Sequence, residues 1–262
     1  MSSITVLITS YNDKRIVSTL DSLMKQTIKP REILVADGGT KWDIREICNK
    51  YGAIYRLFPG NVVQTRNEAI KIIESEIIAF IDTDEVATPA WLENLTKPII
   101  DGFADFSGGP TKHHEPQSEP ERYLNLLEDD LYNYLVRESI TYLPMGNSAW
   151  KKEVFEKLGG FDLSISGGGE DYDLNLRAIK SGYKGVFVEG AAVFHDHSEV
   201  SSYRKLAMKR YSYLRATAKT YLKNGVLSMG MKGVSRVRVK HPFYLVETIM
   251  KPIALIDAMT RK

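Results

Sequence analysis

The sequence predicts an α/β fold, with a mostly parallel sheet flanked by helices and a helical extension at the C-terminal end. Three observations lead to this prediction. Short apolar, β-branched runs alternate with helical segments through the first hundred residues, a rhythm typical of βαβ units. The chain has 262 residues, of which 43% are hydrophobic, enough for one large domain, or two small ones, with a substantial core. From about residue 200 the sequence is basic and helical in pattern.

Four strands are predicted in the first hundred residues. They are ITVLIT (4–9), EILVA (32–36), AIYRLF (53–58) and IIAFI (77–81). The uninterrupted apolar runs are typical of strands that are buried on both faces. The helix after the first strand has its apolar face on residues 16–24, and Asn12 or Asp13 can cap it. Helices over about 41–51 and 62–74 complete the pattern.

Beyond residue 100 the alternation is less regular. The predicted elements are a strand and turn over 103–110, helices over 121–139, 151–158 and 170–181, a β-rich segment over 184–195, and helices over about 203–222 and 242–259. The predicted domains are therefore a main α/β domain over residues 1–200 and a basic, partly amphipathic helical extension over residues 201–262.

The composition excludes several classes of protein. A single cysteine, Cys48, excludes a fold held by intramolecular disulfides. The N-terminal segment lacks a basic region before its apolar run, which favours a buried strand over a signal peptide. No run reaches the roughly 18 uncharged apolar residues that a spanning helix needs. A cytoplasmic protein is expected.

The net charge of +2 conceals an asymmetry along the chain. Residues 1–200 carry 21 Lys and Arg against 31 Asp and Glu, whereas residues 201–262 carry 14 against only Glu247 and Asp257. Such a split predicts an acidic body and a basic arm that meets an anionic partner, with the membrane surface favoured. Nucleic acid is unlikely on this pattern because no recognition motif accompanies it. The alternative is that the arm packs on the body and its charges are solvated.

Polar side chains follow three of the predicted strands, where ligands bind in open parallel sheets. They are Thr9, Ser10, Tyr11, Asn12 and Asp13 after the first strand, Asp37 and Gly38 after the second, and Asp82, Thr83 and Asp84 after the fourth. The sequence contains neither the Gly-rich motif of dinucleotide-binding proteins nor a P-loop motif, which argues against both of those classes. Asp82 and Asp84 are two residues apart on an extended segment and can face one ligand. Carboxylate ligands select Mg²⁺ or Mn²⁺, and the alternative is a solvated acidic turn.

Six motifs in order resemble family-2 glycosyltransferases of the GT-A fold, over about residues 3–200. They are ITVLITSYND, ILVADGGT, the Gly-x₅-Arg-Asn segment over 60–67, IIAFIDTDE, NSAWKKEVFEKLGGFD and GGGEDYDLNLRAIKSGYK. The resemblance implies a nucleotide-diphospho-sugar donor and a divalent metal, Mn²⁺ or Mg²⁺. It assigns donor binding and catalysis to residues 1–200.

The resemblance also implies roles for individual residues. Base and ribose are assigned to Thr9, Tyr11, Asp13 and Asp37, with Gly38 and Thr83 beside the donor, Asp82 near the ribose or the metal, Asp84 on the metal, and Arg66 beside the nucleotide. His195 is favoured over His197 as a third metal ligand, although each could instead be structural. For Arg66 the alternative is an arginine on a helix surface.

The Glu170-Asp171 pair follows three glycines, 167–169, and begins a predicted helix. An inverting sugar transfer needs a base to accept the proton of the acceptor hydroxyl. The resemblance assigns that role to Asp171, and the alternative is that Asp171 caps the helix while Glu170 is the base.

Two further polar pairs each allow two roles. His113 and His114 lie in a predicted loop and are expected to be solvated or to contact the acceptor. Asn147 and Ser148 are expected to line the sugar and acceptor side of the pocket, or to cap the helix that follows.

The expected function is sugar transfer from a nucleotide-diphospho-sugar, with UDP favoured because Asp37 can accept the imide N–H of uracil. The expected acceptor is a glycan, a protein or a lipid-linked molecule, the last on the cytoplasmic face of a membrane. One alternative is a sugar nucleotidyltransferase, but TSYND stands where its Gly-rich loop would be. The other is a non-catalytic, membrane-associated partner of another transferase.

Overall fold

A computed structural model describes residues 2–138, 142–165, 167–224 and 240–260, with the backbone alone for 131–138. Its strands are β1 Ile4–Ser10, β2 Glu32–Asp37, β3 Ile54–Leu57, β4 Ile77–Asp82, β5 Glu85–Ala87, β6 Phe106–Gly108, β7 Thr111–His113, β8 Asn147–Lys151, β9 Gly185–Phe187 and β10 Val193–His195. Its helices are α1 Ile16–Met24, α2 Arg45–Lys50, α3 Val62–Ile72, α4 Trp91–Ile100, α5 Glu119–Glu138, α6 Lys152–Leu158, α7 Glu170–Lys180, α8 Tyr203–Asn224 and α9 Phe243–Thr260.

The central sheet has seven strands in the order β3-β2-β1-β4-β8-β6-β9. Strands β1 to β4 are mutually parallel, and β8 runs antiparallel to both of its neighbours, β4 and β6. The register places Ser10 beside Asp37 and Thr9 beside Asp82. The predicted mostly parallel sheet is confirmed, and the carboxyl ends of β1, β2 and β4 lie at one edge.

Both faces of the sheet are packed. In β1, Val6 and Ile8 belong to one buried cluster, which includes residues of α1 and α4. Leu7, between them in sequence, belongs to a second cluster with residues of α3, α6 and α7. Because successive side chains of a strand point to opposite faces, the uninterrupted apolar run of β1 supplies both clusters, as its sequence predicts.

Two expected helix caps are wrong. Asn147 and Ser148 lie in strand β8, fully buried, and the Trp91 indole donates to Asn147 Oδ1 at 2.8 Å. Helix α1 begins after Arg15, which makes no side-chain cap. Asp13 instead accepts a hydrogen bond from the Arg15 backbone N–H at 2.9 Å, and Asn12 adopts a left-handed conformation with φ 55°. Helix α1 therefore begins three residues later than a cap at Asn12 would place it, and two residues later than a cap at Asp13 would.

The helical extension is confirmed over the described residues. Helix α8 buries Leu206, Ala216 and Ala218 and contacts α7 and α9. Two ion pairs join α8 to α9, Arg210 to Glu247 at 2.7 Å and Arg215 to Asp257 at 2.8 Å. Within the described ranges, no helix has the length and apolar character needed to cross a membrane.

Candidate functional site

Arg66 of α3 connects three of the residues predicted for the site. Its guanidinium lies 2.8 Å from Asp82 Oδ1 and 3.7 Å from Glu170 Oε1, and its Nε donates to Thr9 Oγ1 at 3.4 Å. The side chain is 5% exposed, so the surface-arginine alternative is wrong. Burial opposes the charge of Arg66, but Asp82 and Glu170 outweigh it and raise the pKa of the guanidinium. Arg66 is a fixed positive charge at the carboxyl edge of the sheet.

Asp37, at the end of β2, is held as a hydrogen-bonded carboxylate. It accepts from the backbone N–H groups of Gly39 at 3.1 Å and Thr40 at 2.8 Å, and from the Tyr55 hydroxyl at 2.9 Å. Burial favours the neutral acid, yet the hydrogen bonds from Thr40, Tyr55 and Gly39 lower the pKa of Asp37. An ionised acceptor therefore lies at this end of the cleft.

The loops around Asp37 approach each other closely. A Cβ on Gly38 would lie 3.0 Å from the carbonyl oxygen of Gly60 and 3.6 Å from Cδ2 of Tyr11. Only glycine leaves that contact unstrained. The Tyr11 side chain is 61% exposed, which leaves its ring open to a ligand beside Asp37.

Arg15 brings together acidic residues from separate segments. Its Nη2 lies 2.7 Å from Asp13 Oδ2 and 3.5 Å from Asp84 Oδ2, and its Nη1 lies 3.0 Å from Glu199 Oε2. Thr83 Oγ1 also donates to Asp13, at 3.2 Å. The sequence reasoning placed Asp13, Thr83 and Asp84 at the site but missed Arg15. The available signal was its position two residues after Asp13, within the loop that follows β1.

Three carboxylates crowd the end of β4. Burial raises the pKa of Asp82, and repulsion by Asp84 adds to it despite the attraction of Arg66. Burial and the Asp82 charge raise the pKa of Glu85 well above its usual value. The pKa of Asp84 is lowered instead, because His195 and Arg15 outweigh the effect of burial. Sequence reasoning missed Glu85, whose Oε2 accepts from the Asp82 backbone N–H at 3.0 Å.

Gly146 makes room for two of these carboxylates. A Cβ at this position would lie 2.6 Å from Asp82 Oδ2 and 2.8 Å from Glu85 Oε2, closer than such atoms approach. The glycine precedes β8, so the neighbouring antiparallel strand shapes the acidic pocket at the end of β4.

His195, rather than His197, contacts the Asp84 carboxylate. Its Nε2 lies 3.3 Å from Asp84 Oδ2, and its Nδ1 lies 3.1 Å from Glu128 Oε1. Burial disfavours the imidazolium, but Glu128 and Asp84 outweigh it and raise the pKa of His195 well above its usual value. His197 Nε2 faces Glu128 instead, at 3.1 Å. The oxygen and imidazole donors of Asp82, Asp84, Glu85 and His195 are a chemically suitable set for Mn²⁺ or Mg²⁺.

The expectation that His113 is solvated is wrong, and its contact with an acceptor stays a prediction. Its side chain is 7% exposed and its Nε2 lies 3.6 Å from Glu128 Oε2. His114 is exposed and stacks on Phe194. Glu128 was missed because nothing in the sequence of α5 distinguishes it from the acidic residues beside it.

Glu170 and Asp171 begin α7 and point to different partners. Glu170 Oε2 accepts from the Gly168 N–H at 3.0 Å, while its Oε1 faces Arg66. Asp171 Oδ2 accepts from the Tyr142 hydroxyl at 2.7 Å. Burial and the Glu170 charge raise the pKa of Asp171 to about 6, near the value at which a carboxylate is an effective proton acceptor at neutral pH.

Neither acid caps α7, because the residue at the N-cap is Gly169, with φ 84° and no side-chain cap. The alternative in which Asp171 serves as the cap is therefore wrong. A Cβ on Gly169 would lie 2.6 Å from Thr220 Oγ1, and Thr220 donates to the Gly169 carbonyl at 3.2 Å. Helix α8 thus packs directly on the turn that presents Glu170 and Asp171.

Known proteins resemble this chain in sequence and in structure. The family model described as glycosyl transferase family 2 matches residues 5–159. The O-antigen chain rhamnosyltransferase WbaN of Salmonella anatum is 29% identical over 217 residues, which cover 76% of this chain and 67% of that protein.

The fold is shared with solved structures. The mannosyltransferase PcManGT from Pyrobaculum calidifontis, in complex with GDP-Man and Mn²⁺, has a TM-score of 0.66 at 15% identity, with 100% of this chain and 76% of that chain covered. Glucosyl-3-phosphoglycerate synthase from Mycobacterium tuberculosis, in complex with phosphoglyceric acid, has a TM-score of 0.62 at 18% identity, with 86% and 81% covered. These likenesses confirm the GT-A fold, and because the family model spans more than half of the sequence, the chain belongs to glycosyl transferase family 2 and is a glycosyltransferase.

Proposed function

We propose that this glycosyltransferase moves a sugar from a nucleotide-diphospho-sugar to an acceptor hydroxyl with inversion, and that Asp171 is the base. The observation that carries the proposal is Arg66, whose guanidinium bridges Asp82, at the end of β4, and Glu170, beside Asp171. One buried cation thus connects the predicted donor-binding edge of the sheet to the predicted base. Proton acceptor and donor cleft are then parts of one site.

The donor is proposed to lie along the carboxyl edge of the sheet. Asp37 takes the base, Thr9, Tyr11 and Asp13 take the base and ribose, and Gly38 and Thr83 lie beside them. UDP is favoured because the ionised Asp37 carboxylate is an acceptor for the imide N–H of uracil. Guanine also presents N–H donors, so the base is decided by experiment.

The metal is proposed to be held by Asp82, Asp84 and His195. The mutual repulsion of Asp82, Asp84 and Glu85 supports this assignment, since a divalent cation relieves repulsion among clustered carboxylates. When bound, the metal would neutralise charge on the diphosphate leaving group. Arg66 and Arg15 supply further positive charge in the same region.

Asp171 is proposed to accept the proton of the acceptor hydroxyl as that oxygen attacks the anomeric carbon. Tyr142 donates to Asp171 Oδ2 and fixes the orientation of the carboxylate. Glu170 is occupied by the Gly168 N–H and by Arg66. It therefore orients Arg66 and raises the pKa of Asp171, rather than acting as the base itself.

The helical extension, residues 201–262, is proposed to bring the site to a lipid-linked acceptor at the cytoplasmic face of a membrane. Helix α9 carries a row of exposed apolar side chains: Leu245, Val246, Ile249, Ile253, Ile256 and Met259. Exposed apolar surface of this kind marks an interaction site, and an amphipathic helix with basic neighbours suits an interface with lipid. The basic residues Lys209, Arg210 and Arg215 are paired within the chain, which favours α9 over α8 as the lipid contact.

The test of the proposed function is donor turnover and donor binding by the full chain. Thermal denaturation with UDP-, GDP- and dTDP-sugars in the presence of Mn²⁺ should identify one stabilising donor, because a ligand that binds the folded state raises its stability by mass action. Asp84→Asn should abolish that stabilisation and donor hydrolysis while the metal-free melting curve still shows a folded protein. Asp101→Asn removes an exposed carboxylate paired with Lys97 and should leave both unchanged.

Two outcomes would replace the proposal. Release of pyrophosphate from a nucleoside triphosphate and a sugar phosphate would indicate a nucleotidyltransferase. Folded protein that binds vesicles but turns over no donor with any acceptor would indicate a non-catalytic partner of another transferase.

A further inference from the structure

A second cluster of metal-ligating side chains lies behind His195, outside the contacts assigned to donor and acceptor. It consists of His113 at the end of β7, Glu128 in α5 and His197 after β10. One ligand atom from each residue lies within 4.8 Å of the other two. His197 Nε2 is 3.1 Å from Glu128 Oε1, and His113 Nε2 is 3.6 Å from Glu128 Oε2. Donors around a tetrahedral zinc lie about 3.3 Å apart, given metal–ligand distances near 2.0–2.1 Å.

The side chains of the two histidines are largely shielded from solvent, and their ring nitrogens are incompletely hydrogen-bonded. His197 is 2% exposed, and its Nδ1 has no hydrogen-bond partner among the described residues. The His113 side chain is 7% exposed, and within the described ranges neither of its ring nitrogens makes a hydrogen bond. Buried polar atoms are nearly always satisfied, and each exception requires a reason. His113 Nε2 is directed toward Glu128 without reaching hydrogen-bond distance, as expected for a ligand that faces a cation site.

The backbone fixes where the three ligands meet. His113 and His195 are register partners in the parallel pair of β7 and β10. His197 follows two residues later, and Glu128 approaches from α5. Glu128 lies between the two clusters, because its carboxylate contacts His195 Nδ1 at 3.1 Å while His195 Nε2 faces Asp84. The ligands therefore come from three separate segments, which suits a site that holds elements together.

The donor set differs from the one assigned to the donor's metal. Two imidazoles and one carboxylate are ligands that zinc commonly takes. A pair of aspartates with one histidine is richer in hard oxygen ligands, which favour Mg²⁺ and Mn²⁺. The two clusters should therefore differ in metal preference as well as in position.

We propose that His113, His197 and Glu128 form a zinc-class metal site, separate from the divalent site assigned to Asp82, Asp84 and His195. Its ion holds α5 against a second sheet of three strands, in the order β5-β10-β7. The ion binds Glu128 in the position from which that carboxylate contacts His195. Its role is to position His195, and it takes no part in sugar transfer.

The experiment is metal binding to the metal-stripped full chain. We expect one equivalent of Zn²⁺ to bind, with an X-ray absorption spectrum that shows two imidazole ligands. Zinc at the Asp82, Asp84 and His195 site would show one imidazole, so the wild-type spectrum alone distinguishes the two locations. One imidazole, or no bound zinc, would overturn the proposal.

Variants provide the second measurement. Asp84→Asn should keep the zinc, whereas His113→Gln and Glu128→Gln should each weaken zinc affinity at least tenfold. His114→Gln is the matched control, because His114 is adjacent in sequence but exposed and should bind zinc like the wild type. Zinc that is lost from Asp84→Asn and retained by His113→Gln would assign the ion to the donor site. Co²⁺ substitution supplies a check that does not depend on variants, since a tetrahedral site gives stronger visible absorption than a six-coordinate one.

Discussion

Arg66 Nη2 and Asp82 Oδ1 form an ion pair of 2.8 Å in which the arginine is 5% exposed and the aspartate 39%. The pair joins the middle of α3 to the carboxyl end of β4. It places a permanent positive charge beside a carboxylate whose pKa is raised, because neighbouring groups displace part of its hydration and because Asp84 repels its charge. The cleft therefore has a positive charge, Arg66, beside Glu170, and a group of carboxylates, Asp82, Asp84 and Glu85, toward His195.

Replacing Arg66 by Gln should destabilise the fold by about 1–3 kcal/mol, because the substitution leaves charged partners without their buried counterion. Arg31→Gln is the matched control. It removes an ion pair of the same 2.8 Å length, but one that is 51% and 77% exposed, and such pairs contribute about 0–1 kcal/mol. Urea denaturation of both variants measures the difference. Equal losses of stability would show that burial does not distinguish the two pairs.

The pH dependence of transfer should report on Asp171. A carboxyl with a pKa of about 6 is ionised at neutral pH and protonated below, so kcat/KM should fall as the pH drops through about 6. Tyr142→Phe removes a hydrogen bond that lowers this pKa, so its acid limb should lie at higher pH. Measurement of kcat/KM from about pH 5 to about pH 9, roughly two units on each side of neutrality, shows both effects.

The control for that profile is Tyr51→Phe, which removes a tyrosine hydroxyl that donates to Asp21 at the same 2.7 Å distance. Asp21 is exposed on α1 and is not among the residues assigned to the site. An acid limb that moves equally in both variants, or in neither, would contradict the assignment of the limb to Asp171.

Much of the sheet could be predicted because its signals are local. The apolar runs of β1 and β4 are unbroken, and their last residues, Thr9 and Asp82, identify the ligand edge once the strands are known to be parallel. The three-stranded sheet was not predicted as such, since β5, β7 and β10 have three residues each. Strands of that length show no periodicity that distinguishes them from loops.

The parts of the site that sequence reasoning missed are those defined by distant contacts. Glu128 belongs to the site because it contacts His195 and His197, more than sixty residues away in sequence. Arg15 likewise contacts the distant Glu199. Glu85 adjoins the predicted Asp82 and Asp84, but it was passed over because an Asp-x-Asp pattern directs attention to those two residues. No local pattern shows which of several neighbouring acids will be buried.

Gly146→Ala should weaken metal-dependent donor binding. The added methyl group would lie 2.6 Å from Asp82 Oδ2 and 2.8 Å from Glu85 Oε2, so the carboxylates must move from their present positions. We expect at least a tenfold increase in the Mn²⁺ concentration needed for half-maximal donor binding, since about 1.4 kcal/mol corresponds to tenfold. Calorimetric titration of Mn²⁺ in the presence of donor measures it.

Ser148→Ala serves as the comparison for Gly146→Ala. Ser148 is fully buried on the adjoining strand and accepts from the Trp150 indole at 3.0 Å. Its loss should lower stability without a change in metal affinity. If both variants lose metal affinity to the same degree, general damage to β8 is the cause and the crowding argument fails.

The exposed face of α9 should determine binding to lipid vesicles. Ile249 and Ile256 are 67% and 61% exposed, and fully burying such a side chain contributes about 1.5–3 kcal/mol. Replacing both by Asn should therefore lower the partition coefficient onto anionic vesicles at least tenfold. The fraction of protein that sediments with the vesicles measures it. Phe103→Asn with Leu163→Asn is the matched control, because these side chains are 66% and 60% exposed but belong to the α/β domain.

High salt should weaken the binding of the wild type to vesicles only in part, because salt screens the basic residues while apolar burial persists. Equal sedimentation of both double variants, or none by the wild type, would show that the apolar face of α9 does not meet lipid and would favour a glycan or protein acceptor.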